Sequence, residues 1–148
     1  MNNMFEPTHI IMDIKGTTQA DVLAELATKA YELGVVNDAN QLVADYLERE
    51  AESTTGFGNG VAIPHSKSSN NKQATILFAR ADHGVEWQAL DDAPVDTWLS
   101  LIVPDTEAGL HLQLLAKLSR QLVHPEFIET LKHGTEAEIT TLLNDIVG

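Results

Sequence analysis

Apolar positions in this chain keep one period at the two ends and another in the middle. Near the start, "HIIMDI" is a short apolar cluster and predicts a brief strand. In "TTQADVLAELATKAYELG", Val22, Leu23, Leu26, Ala27, Ala30 and Leu33 recur at helical spacing. Thr18 is the expected N-cap of that helix, Asp21 suits its first turn, and Gly34 is the expected stop. A second helix is expected after Asp38, carrying Leu42, Val43, Tyr46 and Leu47 inward, with Arg49 near its C-terminal end. The period then changes. "VAI" before Pro64, "ATILFARA" and "VDTWLSLIV" are runs of β-branched and large apolar residues, separated by the turn-rich "NNKQ", "DHG" and "LDDAP". Helical spacing returns in "EAGLHLQLLAKLSRQLV", where Leu110, Leu114, Leu115, Leu118 and Leu122 line one face. "PEFIETLKHG" predicts a short helix from Pro125 with Gly134 past its end, and "TEAEITTLLNDI" another, with Thr135 and Glu138 spaced as a capping box. Two helices, a block of strands and three helices predict an α/β sandwich, a mixed β-sheet flanked by α-helices, forming a single domain over 1–148.

The composition narrows what such a domain does. The 148 residues are 43% apolar and 21% charged, ordinary globular usage. There are no cysteines, so disulfides, thiolate catalysis and cysteine-ligated zinc are excluded. "MNNMFEPTHIIMDIKG" is not a secretion signal, and no run approaches a membrane span, so a cytoplasmic protein is expected. Nine Lys plus Arg stand against 22 Asp plus Glu, for a net charge of −13. That surface repels phosphate backbones and anionic lipid heads, which argues against nucleic-acid and membrane binding. It would attract a basic protein partner, or it serves solubility alone.

Candidate chemistry begins in "ESTTGFGNGVAIPHSK". Gly56, Gly58 and Gly60 precede a strand instead of opening a helix, so they are not a dinucleotide fingerprint, and no Gly-Lys-Ser/Thr follows for a P-loop. Asn59-Gly60 is a turn signal, because both residues tolerate positive φ. Pro64 pushes Ile63 toward an extended conformation and has no N–H for a sheet ladder, so pairing is expected to stop there. His65 is then placed at the end of a strand, on a rigid backbone beside glycines that leave space. It reads as a nucleophilic or acid–base imidazole, or as a loop histidine in water.

His111, near the start of the long helix after Pro104, is the second candidate. Free backbone N–H groups and the positive end of the helix dipole favour an anion such as a phosphoryl group there, and the same field favours neutral imidazole. The alternative is a partly buried histidine capping its own helix. Arg49 offers a permanent charge and a planar fork for phosphoryl oxygens, or else satisfies helix-end carbonyls or pairs with Glu50 or Glu52. No HExxH or close histidine pair exists, so the sequence calls for no metal. His9, His83, His124 and His133 read as surface residues, and Trp87 and Trp98 as packing residues.

Together, "LEREAESTTGFGNGVAIPHSK", "HGVEWQALDDAPV" and "HLQLLAKLSRQL" resemble, in order and across essentially the whole chain, the mannitol/fructose-type enzyme IIA domains of the bacterial phosphoenolpyruvate-dependent sugar phosphotransferase system. The resemblance implies a phosphocarrier without cofactor. It accepts a phosphoryl group from phosphohistidine on the small carrier HPr and passes it to a cysteine of an enzyme IIB domain, with a membrane IIC component downstream. His65 matches the phosphorylated histidine, His111 its partner and Arg49 the arginine near the site. Gly58, Asn59, Gly60 and Ser66 are the expected phosphoryl loop. Phe57 stands where an aliphatic residue is usual. Likeness in "WQALDDAPV" and "AKLSRQL" favours a fructose-type sugar. Two other readings stand beside this one: a regulatory IIA paralogue that signals by its phosphorylation state, and a small metal-dependent hydrolase using His65 and His111.

Overall fold

The structure is a computed structural model that describes residues 4–147. In chain order its elements are β1 (Ile10–Ile11), α1 (Gln19–Glu32), α2 (Ala39–Glu52), β2 (Gly56–Gly58), β3 (Val61–Ala62), β4 (His65–Ser68), β5 (Thr75–Val85), β6 (Val95–Pro104), α3 (Ala108–Gln121), α4 (Pro125–His133) and α5 (Glu136–Val147). A mixed six-stranded sheet carries α1 and α2 on one face and α3, α4 and α5 on the other. Strand alternation explains the two layers. On β5, Ile76 and Phe78 point to the three-helix face while Leu77 and Ala79 point to the two-helix face. On β6, Leu99, Leu101 and Val103 oppose Trp98 and Ile102 in the same way. Both faces are covered, so these strands read as continuous apolar runs.

The local signals act as expected at the helix ends. Thr18 accepts from the Asp21 N–H, Gly34 takes a positive φ of 76°, and Pro125 starts α4. Thr135 and Glu138 form a reciprocal capping box, at 2.9 and 3.1 Å. Trp87 and Trp98 are buried against each other, with ring centroids 5.9 Å apart.

Four expectations need correction. Leu47 is 41% exposed, because α2 buries only the Leu42–Tyr46 row against α1 and the sheet. The "DHG" turn signal does not end its strand: β5 continues through an irregular register to Val85, which pairs with Val95. His9 is buried; its Nδ1 lies 3.1 Å from the carbonyls of Met4 and Ile76, so it ties the N-terminal segment to β5. Nor does pairing stop at Pro64. Val61 and Ala62 face Thr97 and Trp98, and His65 faces Leu101 at the same offset, so β3 and β4 are one path along β6 with a gap between them. Proline deletes its own N–H from the ladder, yet its carbonyl still accepts from Leu101 N at 3.1 Å, and the strand resumes with His65.

That path positions the site. β2 pairs with β3 only as far as Gly56 opposite Ala62, whereas β4 pairs with β6 alone. Among the described residues no strand lies beside the outer edge of the sheet beyond Ala62. Side chains from α2 and α3, on opposite faces, meet at this uncovered edge.

Candidate active site

Ile63 is the residue at which the edge opens. Its N–H still reaches the Thr55 carbonyl at 3.0 Å. Its C=O has outrun β2, and a backbone acceptor left in the interior needs a partner. The imidazole of His65 supplies it: Nδ1 lies 2.8 Å from the Ile63 oxygen, so Nδ1 carries the proton and donates. The lone pair is thereby assigned to Nε2, and Arg49 on α2 donates its Nε–H to that nitrogen at 3.0 Å. Arg49 is held from its other end, where Nη1 donates to the Ser53 carbonyl at 2.7 Å. One arginine thus satisfies a helix-end carbonyl, as its position suggested, and reaches the candidate nucleophile as well.

His111 comes from the opposite layer. It shares the core-facing row of α3 with Leu114 and Leu118, and its ring centroid lies 5.3 Å from that of His65. His111 Nε2 is buried without a hydrogen-bond partner. Burial is the main force holding the His111 imidazole down to about 4, helped by the nearby positive charges of His65 when protonated, Lys67 and Arg49. The helix dipole predicts neutral imidazole here; desolvation is the main cause of it. The start of α3 is itself preceded by a 3-10 turn, Asp105–Glu107, whose two carboxylates make it a poor anion site. His65 is also held below its ordinary value, first by burial and next by Arg49, while the bond to Ile63 and the charge of Glu52 oppose the shift. Both rings are neutral at neutral pH.

His65 and His111 open into a cavity of about 310 Å³ lined also by Asp45, Glu48, Arg49, Glu52, Ser66 and Lys67. Ser66 is buried, 3.4 Å from Asp45, and receives the Asn71 amide at 3.1 Å; the same amide donates to the Val103 carbonyl, tying β4 to β6. Of the expected loop, Ser66 alone lines this cavity. Asn59 and Gly60 do make the turn, with φ of 57° and 80°, and Gly58 stands at 130°. Gly58 and Asn59 pack against Asp91, and Gly60 against Asp96 and Lys132. The turn is five strand positions before His65, roughly 16 Å at ~3.3 Å a residue, too far to touch a group on its ring. Gly56 stands nearer, in an apolar groove beside His65 with Phe57, Ile63, Leu90 and Leu115.

Lys67, Asp45, Glu48 and Glu52 were not singled out from sequence, although signals for them exist. Asp45, Glu48, Arg49 and Glu52 are spaced to share one helix face, and Lys67 follows His65 by two positions on a strand. Among the described residues no group of three or more His, Asp or Glu is disposed to hold a metal ion, and no helix is long and apolar enough to cross a membrane. Chemically, the arrangement offers an uncharged ring nitrogen with its tautomer fixed, a second neutral imidazole, and two cations in an open mouth rimmed by carboxylates.

Known proteins share this arrangement of chain. Residues 3–146 match the family model described as "Phosphoenolpyruvate-dependent sugar phosphotransferase system, EIIA 2". The chain is 38% identical over 135 residues to a PTS system fructose-like EIIA component of Escherichia coli (strain K12), covering 91% of each. Among solved structures it is similar to the nitrogen regulatory protein IIA-Ntr from Neisseria meningitidis, with a TM-score of 0.88 and 28% identity, covering 95% of this chain and 97% of that one. It is also similar in fold to enzyme IIAMTL of Escherichia coli in complex with phosphorylated enzyme IIBMTL, with a TM-score of 0.80 and 20% identity over 95% and 97% of the two chains.

Proposed function

The chain belongs to the EIIA 2 family of the phosphoenolpyruvate-dependent sugar phosphotransferase system, and from that premise we propose that it is a phosphocarrier with His65 as the phosphorylated residue. It takes its phosphoryl group from phosphohistidine on HPr and yields it to a cysteine of an enzyme IIB domain during sugar uptake, a fructose-type sugar being favoured. The observation that carries this reading is the pair of bonds on one ring: Ile63 holds the proton on Nδ1, so the lone pair lies on Nε2, at an open cavity.

The step follows from that tautomer. Nε2 attacks the phosphorus of the donor phosphohistidine, the N–P bond of the donor breaks, and its electron pair returns to the donor ring. His65 then carries phosphorus on Nε2 and the proton on Nδ1, and the Ile63 carbonyl stabilises the positive charge that the ring acquires. In the second step a cysteine thiolate attacks the same phosphorus, the bond to Nε2 breaks, and the electron pair goes back to Nε2. Phosphoryl transfer passes through a loose transition state with charge on the equatorial oxygens, so positioned donors do most of the catalysis. Arg49 releases Nε2 and turns its fork to those oxygens, Lys67 adds a second charge, and His111 donates a hydrogen bond. The Asp45, Glu48 and Glu52 rim disfavours free anions and favours a phosphoryl group presented by a basic protein. HPr as donor and a membrane IIC component downstream of the IIB domain complete the relay in this reading, with the carrier acting in the cytoplasm.

A regulatory role is the second reading, and the likeness to the Neisseria nitrogen regulatory protein favours it. One experiment separates them. The phosphorylated protein is mixed with a fructose-type IIB domain and the phosphate followed. Rapid movement to the IIB cysteine supports the uptake relay; phosphate retained on this chain while HPr is still able to withdraw it supports the regulatory reading.

A further inference from the structure

We propose that Glu50 is a positioning residue for His65, acting through Thr55 and Ile63; the inference rests on the reading of His65 as nucleophile. Glu50 is half-buried in the last turn of α2. An acid there opposes the helix dipole, since carbonyl ends already make that terminus negative. Among the described residues no ion pair with a Lys, Arg or His compensates it. Its carboxylate is turned instead onto one buried residue. One oxygen accepts the Thr55 N–H at 2.9 Å, and the other accepts the Thr55 hydroxyl. That hydroxyl has its acceptor side filled too, by the indole N–H of the buried Trp87 at 3.3 Å.

From Thr55 the connection to the imidazole takes two bonds. The Thr55 carbonyl accepts the Ile63 N–H at 3.0 Å, and the Ile63 carbonyl accepts the His65 Nδ1–H at 2.8 Å. Among the described residues the Ile63 oxygen is the only acceptor on Nδ1, and it belongs to a residue outside the paired strands on either side of Pro64. Its place along the open edge is therefore set by Thr55, and the place of Thr55 is set by Glu50. Arg49 and Glu50 are successive residues with divided labour. Arg49 holds Ser53 and the lone-pair side of the ring, while Glu50 holds Thr55 and, through it, the proton side. Release of Arg49 at the moment of attack would leave the ring fixed only by this second line. A ring that has lost both the Arg49 donor and the Ile63 carbonyl is free to move its proton to Nε2, which removes the lone pair from the attacking nitrogen.

The test uses the full chain with Glu50→Gln and Thr55→Val, each checked for a native-like amide spectrum. In Glu50→Gln the carboxamide keeps one acceptor and sets an N–H₂ against a donor; in Thr55→Val the hydroxyl is gone. The ¹⁵N imidazole signals of His65 report its tautomer without any need for phosphorylation. Because Arg49 donates to Nε2 in the resting molecule, the tautomer is read with Arg49→Ala as the background, in which intact Glu50 and Thr55 are expected to keep Nδ1–H. In that background both folded variants are expected to show a mixture containing Nε2–H; with Arg49 present they are expected to slow phosphoryl acceptance from phospho-HPr roughly 10- to 100-fold, with Glu50→Asp recovering part of each. Should either variant fail to fold, the other carries the measurement. Pure Nδ1–H when Glu50→Gln or Thr55→Val is added to a folded Arg49→Ala overturns the proposal. A wild type that is never phosphorylated would overturn the functional reading instead, and the tautomer comparison would still decide the role of Glu50.

Discussion

Arg49 donates its Nε–H to Nε2 of His65 across 3.0 Å, so the nitrogen expected to attack phosphorus is capped in the resting molecule. The same guanidinium is among the charges that hold the His65 imidazole below its ordinary value. Removing a cation beside a basic ring favours its protonated form, so Arg49→Ala should raise the His65 value toward 6.5 while burial, the larger cause, keeps it lower. Phosphoryl acceptance should slow by about 10²–10³, the usual loss for one oriented donor on a charged transition state. Titration of the His65 ring signals and single-turnover labelling check the two halves. A His65 value that falls, or labelling as fast as wild type, would count against the assigned role.

Acceptance of phosphate should depend on pH in one direction. Only neutral His65 has a free lone pair, and its value lies below 6.5. The rate should therefore be level through neutral pH and fall as pH drops through that lowered value. Initial rates with the upstream carriers in excess give the profile; a maximum on the acid side would be inconsistent with attack by a neutral ring.

Stability should follow pH through His111. Its value is ordinary, 6.5, in the unfolded chain and about 4 in the folded one. As pH falls below 6.5 the unfolded state takes up the proton first, so folding weakens progressively between 6.5 and about 4 and is unaffected above. His65 acts in the same sense. Urea midpoints across this range should drop less steeply in His111→Gln. A slope left unchanged by that substitution would mean other groups govern acid sensitivity. The same variant should label with phosphate more slowly than wild type.

The groove beside His65 depends on a close approach. A Cβ built on Gly56 would lie 2.7 Å from the Ala89 Cα, which is backbone and cannot rotate away. Gly56→Ala should cost roughly 1–3 kcal/mol, read from urea unfolding, and should shift the amide signals of Leu90, whose N–H donates to the Gly56 carbonyl at 3.2 Å. Neutral behaviour would show that the loop yields more readily than its packing implies.

The sandwich was legible because the helix faces are written in the spacing of apolar positions and the strands in continuous apolar runs. Caps at Thr18 and Thr135 were equally local and equally readable. What sequence could not supply was the partner across space. Pro64 announced a break, but only β6 beside it shows that the ladder resumes at His65. The glycine turn was visible, yet its distance from His65 depends on the strand running straight between them, which local signals do not report. His111 stands near the start of α3 as expected, but its approach to His65 becomes evident only once that helix lies on the sheet. Glu50 was readable only as a pairing partner for Arg49; its turn toward Thr55 was not, because Thr55 belongs to a segment with no period of its own.

Incubating the protein with phosphoenolpyruvate, enzyme I and HPr and locating the phosphate shows whether His65 is the phosphorylated residue. An acid-labile phosphate is expected on Nε2 of His65 in wild type and none in His65→Ala. Equal labelling of His65→Ala, or phosphate on another residue of the wild-type chain, would contradict that assignment.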